Sequence, residues 1–132
     1  MEPLRVETMV VRAGRIECEL RIEGPCRYTT PAIARALLAR YPTLQEHACV
    51  NEKGTTFGSV IDNTSLAHLL EHLVIDLQTR ADGEEGESFT GTTEWIDEAS
   101  GRALVQVSFA DDLVALRAFR DAITQINETV LQ

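Results

Sequence analysis

Between Arg15 and Glu23 the chain alternates without a break: Ile16, Cys18, Leu20 and Ile22 are apolar, whereas Glu17, Glu19, Arg21 and Glu23 are charged. A period of two puts successive side chains on opposite faces of a strand, so this segment predicts a strand with one buried face. Leu4 to Arg12 is a second β-rich run, and Ala13-Gly14 between the two predicts a hairpin turn. The same pattern returns later, where Ser88 to Asp97 and Arg102 to Phe109 flank Ala99-Ser100-Gly101. There Leu104, Gln106 and Ser108 alternate with Val105, Val107 and Phe109.

Three other segments follow the helical period. Thr30-Pro31 supplies a capping side chain and a proline at the first helical position, and the helix it opens is stopped near Arg40 by Tyr41-Pro42, with Ile33, Leu37 and Leu38 as its apolar stripe. After a predicted loop from Thr43 to Asn63, Thr64 or Ser65 caps a second helix that runs to about Arg80. Asp111 or Asp112 caps the third, which reaches about Val130 with a stripe of Leu113, Leu116, Phe119, Ile123, Ile126 and Val130. The order ββααββα predicts an α+β fold: one domain over residues 1–132, with an antiparallel sheet covered by helices on one face.

The second helix carries His68-Leu69-Leu70-Glu71-His72, the HxxEH spacing of inverted zinc peptidases. At about 100° per residue, Leu66, Leu69, Leu70, Leu73, Val74 and Leu77 gather on one side, and His68, Glu71, His72 and Ile75 fall on the other. A histidine that merely fills a core would sit among the leucines. Four residues apart, the two imidazoles can reach one Zn²⁺, with Glu71 beside them as the base for a metal-activated water.

Catalytic zinc keeps three protein ligands, so a third is required. In the large peptidases with this spacing it is a glutamate on a helix well downstream, and the 60 residues after His72 are too few to repeat that arrangement. His47, in the loop before the motif helix, is the first choice. Cys49, Glu52 and Glu94 are the alternatives, because thiolate and carboxylate also bind zinc.

Composition narrows the partners. Hydrophobic residues make up 44% and charged residues 25%, an ordinary globular balance, but the formal charge is −9. An excess of that size argues against nucleic acid and anionic membrane surfaces and favours cationic substrates. Glu2, Arg5 and Glu7 interrupt the start, and no run approaches the ~20 apolar residues of a membrane span, so a cytoplasmic location is expected. Cys18, Cys26 and Cys49 show no CxxC spacing and fit reduced thiols. Asp82-Gly83-Glu84-Glu85-Gly86-Glu87 reads as a solvated acidic loop.

The stretch from Pro31 through Tyr41-Pro42 to Glu46-His47-Ala48-Cys49, then Thr56-Phe57-Gly58, then Thr64 to Gln78, resembles the N-terminal domain of cyanophycin synthetase, and the likeness extends to about Asp112. That family has a helix ending in a leucine-proline turn, an EHxC loop, a glycine-phenylalanine segment and a HxxEH helix in this order. The resemblance implies a domain that helps hold an arginine/aspartate polymer and in some members cuts it at a zinc-peptidase-like centre. Carried over, it implies His68 and His72 as zinc ligands, Glu71 as general base and His47 as third ligand. The ATP-dependent domains that polymerise in that family are not expected here. Two departures bear on substrate: Phe89 to Trp95 lacks the basic residues of the family's FGRTR-like segment, and Asn51 to Thr56 lacks its paired glycines.

Two functions follow as expectations. The first is a Zn²⁺-dependent hydrolase of peptide or isopeptide bonds acting on a peptide-like or cationic polymer. The second is a non-catalytic module that binds polymer or protein and needs no metal. The sequence exposes no interface, and a homo-oligomer stays open.

Overall fold

The computed structural model describes residues 2–51, 53–82 and 89–132. Most of the acidic loop, Ser88 and Glu52 lie outside the described residues. In chain order these form β1 (Leu4–Arg12), β2 (Arg15–Ile22), α1 (Pro31–Arg40), β3 (Ala48–Asn51), β4 (Gly54–Thr56), α2 (Leu66–Asp82), β5 (Gly91–Asp97), β6 (Arg102–Ser108) and α3 (Asp112–Leu131).

The two predicted hairpins join into one antiparallel sheet of order β1-β2-β6-β5. Register explains why. Ile16 pairs with Val107, Cys18 with Val105 and Leu20 with Ala103, so the apolar halves of β2 and β6 share one face, and all six side chains are buried. A one-residue slip would turn that face to solvent. Gly14 (φ +80°) and Gly101 (φ +77°) close the hairpins in a left-handed conformation that glycine adopts without steric cost.

Helices α2 and α3 lie on the apolar face, α2 against β5 and β6 and α3 against β1 and β2. Ser65 is the residue that caps α2, its Oγ accepting from the His68 amide at 3.1 Å. Asp111 caps α3 by accepting from Leu113 and Val114. The buried side of α3 runs through Ala115, Ala118, Phe119, Ala122 and Ile126, while Leu113 is 72% exposed. The stripe drawn through the large residues is thus displaced, because the alanines are what let the helix approach closely. Among the described residues no helix is long and apolar enough to cross a membrane.

The segment expected to be a plain loop has structure of its own. Two short 3₁₀ turns, Pro42–Glu46 and Phe57–Ser59, bracket the β3–β4 hairpin. Folded back, this unit covers the second face of α2. It closes over His72 and Asp76, while Glu71 is buried against Thr93 of β5 and Gln78 against the Ser108 carbonyl of β6, so much of the face read as the helix's polar side is interior.

Candidate metal centre

Each histidine reaches the centre from a different constraint. His68 lies in the first turn of α2, where its Nδ1 meets Thr64 Oγ1 at 2.9 Å and its Nε2 faces Cys49 Sγ at 3.5 Å. His72, one turn on, is stacked on Phe57 with ring centroids 4.1 Å apart. Phe57 also meets the His68 ring edge-on at 5.0 Å, so one aromatic side chain from the covering unit fixes both imidazoles.

His47 arrives at the end of the first 3₁₀ turn. Its Nδ1 stands 3.1 Å from His72 Nδ1 and its Nε2 stands 3.1 Å from Asp76 Oδ1. Asp76 is buried and also accepts from Thr43 and, at 2.8 Å, from Arg80 Nε.

Glu71 points towards β5. Its Oε1 accepts from Thr93 Oγ1 at 2.8 Å, and its Oε2 lies 3.6 Å from His72 Nε2. Burial raises its carboxyl above the usual glutamate range, an effect partly offset by the Thr93 bond and by His47. Burial lowers His68 and takes His72 down to about 3, with His68 and His47 adding to the fall at His72. Both rings are neutral at physiological pH, the state in which imidazole binds a metal. Asp76 feels the same burial, but the hydrogen bonds from His47, Thr43 and Arg80 outweigh it and hold the carboxyl low.

Among the described residues the group able to share an ion is Cys49, His68 and His72, whose ligand atoms lie within 4.8 Å of one another. One thiolate and two imidazoles are a zinc-type donor set. Bond lengths of about 2.0–2.3 Å place neighbouring zinc ligands about 3.5 Å apart, the separation that Cys49 Sγ and His68 Nε2 already have. His47, first choice from sequence, is not in that group, its ring nitrogens facing His72 Nδ1 and Asp76 Oδ1; Cys49 is the third member of the group. Glu94 is exposed on β5 and is not in the group; Glu52 lies outside the described residues.

Clefts open on both sides. The larger, about 660 Å³, is lined by Glu46, His47, His72, Asp76, Arg80 and Phe89 among others. The smaller, about 250 Å³, includes Thr64, His68, Glu71, Thr93, Glu94 and Trp95. Asp76 had a readable signal, since it extends the His68–His72 ladder by one more turn. Thr93 and Phe57 lie in segments the family resemblance marked, but no local pattern gave their roles, which depend on long-range packing.

These features define an α+β domain whose helix α2 sets His68, Glu71 and His72 between the covering β3–β4 unit and strand β5. The chain belongs to the family described as Cyanophycin synthase-like N-terminal domain, whose sequence pattern matches residues 17–131. That span runs from within β2 to the end of α3. A search of curated proteins gave no match.

Proposed function

We propose that this domain is a zinc-dependent hydrolase of peptide or isopeptide bonds in a cationic, peptide-like polymer, with arginine/aspartate chains as the first candidate. The observation that carries this reading is the convergence of Cys49, His68 and His72 ligand atoms within 4.8 Å, beside a carboxylate held by Thr93. A bound Zn²⁺ would supply Lewis acidity towards water and a carbonyl oxygen. Glu71 would take the proton from the attacking water and return it to the leaving nitrogen. Burial raises its pKa, which makes the carboxylate a stronger base than an exposed glutamate. Glu46 in one cleft and Glu94 in the other, with the charge of −9, favour a chain bearing guanidinium or ammonium groups.

The competing reading is a binding module that uses the same clefts without metal. The 4.8 Å spread of the ligand atoms, wider than bound zinc requires, favours it. Cobalt titration separates the two. Co²⁺ bound by Cys49 gives a thiolate charge-transfer band that Cys49→Ser removes, whereas His47→Gln keeps the band. Glu71→Gln should keep the metal and lose cleavage of an arginine/aspartate polymer. A protein that takes up neither Co²⁺ nor Zn²⁺ at pH 7.5 is the binding module instead.

A further inference from the structure

The contact between His47 and His72 joins two ring nitrogens, Nδ1 to Nδ1, at 3.1 Å. One of them must carry the hydrogen and the other the lone pair. Which is which follows from the far end of the chain of bonds. Asp76 offers only acceptors, and its two oxygens receive Thr43 and His47 on one side and Arg80 on the other. His47 therefore donates through Nε2.

With its hydrogen on Nε2, neutral His47 presents a lone pair at Nδ1, and His72 must donate through its own Nδ1. That leaves the His72 lone pair on Nε2, which stands 3.6 Å from Glu71 Oε2. The reverse polarity would put a hydrogen on His72 Nε2 aimed at Glu71, but 3.6 Å is too long for that hydrogen bond.

We infer that Asp76, acting through His47, sets the tautomer of His72, with hydrogen on Nδ1 and the lone pair on Nε2. Asp76 and His47 are positioning residues that touch neither metal nor substrate. Any use of that lone pair as a metal ligand rests on the metal-centre reading above, but the tautomers belong to the metal-free protein and are tested there.

The experiment is a long-range ¹H–¹⁵N spectrum of chelator-treated protein carrying ¹⁵N-histidine, at pH 8. The expected result is hydrogen on Nε2 of His47 and on Nδ1 of His72. Asp76→Asn should reverse both, since the amide oxygen will face the Arg80 guanidinium and turn the amide NH₂ towards His47. His47 then donates from Nδ1, and His72 becomes the Nε2–H tautomer. Zinc affinity of that variant should fall by about 10–100-fold, the usual effect of losing an outer-shell partner. A wild-type spectrum with hydrogen on His72 Nε2, or with both nitrogens of His47 protonated at pH 8, overturns the inference, as does an Asp76→Asn spectrum with unchanged tautomers. Failure to bind zinc with the expected tautomers present would instead sink the hydrolase reading and leave the relay standing.

Discussion

Gly91 lies so close to Glu71 that a Cβ built on it would stand 2.7 Å from Glu71 Cγ and 3.1 Å from Cδ. The first residue of β5 is therefore bare where the helix carboxylate crosses to Thr93, and the sheet itself sets how far Glu71 can swing. The same Cβ would lie 3.0 Å from Gln106 O on β6, so the strand has little room to retreat. Gly91→Ala is expected to push the carboxylate off Thr93 at an overpacking cost of about 1–3 kcal/mol. Metal uptake should survive, because Cys49, His68 and His72 are untouched, while any amide cleavage falls at least tenfold. Unchanged cleavage with a folded protein would show that Glu71 is free to reorient.

The buried imidazoles make the metal-free protein sensitive to acid. The folded-state pKa of His72 is about 3 against an ordinary 6.5, and His68 is lowered as well. The unfolded chain then binds these protons first, so stability is complete above about pH 6.5 and is lost as pH falls towards 3. Within that window His72 alone contributes a slope of about 1.4 kcal/mol per pH unit. Glu71 acts in the opposite sense: its raised pKa means the folded state takes up that proton first, which offsets part of the loss as pH falls towards its ordinary 4.5. Asp76, held low, loses its stabilising bonds only below its ordinary 3.8. Urea midpoints measured in chelator at pH 7, 6 and 5 should fall steadily, and His72→Gln should flatten the trend. A midpoint independent of pH would contradict the burial of the pair.

Much of this was legible in the pattern of residues. The alternation at Ile16 to Ile22 and at Ala103 to Val107 defines the sheet because its register is enforced by burial of one face, a property that period-two spacing reports directly. The HxxEH helix, its start at Thr64 or Ser65 and its phase were readable for the same reason. The third member of the Cys/His/His group was not. His47 and Cys49 lie two residues apart, and only the β3–β4 hairpin, a fold of short strands with little hydrophobic alternation, decides that Cys49 faces His68 while His47 turns to Asp76. Likewise, amphipathicity marks the side of α2 that is apolar but not whether something covers the other side. Phe57 does so, and no local period announces it.

Asn127, on α3 and buried, brackets the backbone of Leu4 at the start of β1: its Oδ1 accepts from the Leu4 amide at 2.8 Å and its Nδ2 donates to the Leu4 carbonyl at 3.1 Å. The side-chain amide thus serves as one link of a strand ladder, tying the edge of the sheet to the last helix across 123 positions of sequence. Asn127→Leu keeps volume but strands both peptide groups, at an expected cost of about 2–4 kcal/mol. Asn127→Asp retains the bond to the Leu4 amide and loses the donor, setting a charge against the Leu4 carbonyl, so it too is destabilising. Denaturant unfolding reads the stability loss, and hydrogen exchange at the Leu4 amide reads its origin. Both variants should speed exchange there, Asn127→Leu the more, whereas amides in β6 should change only as far as global stability does. Protection of the Leu4 amide that survives Asn127→Leu would mean that pairing with β2 alone anchors the strand.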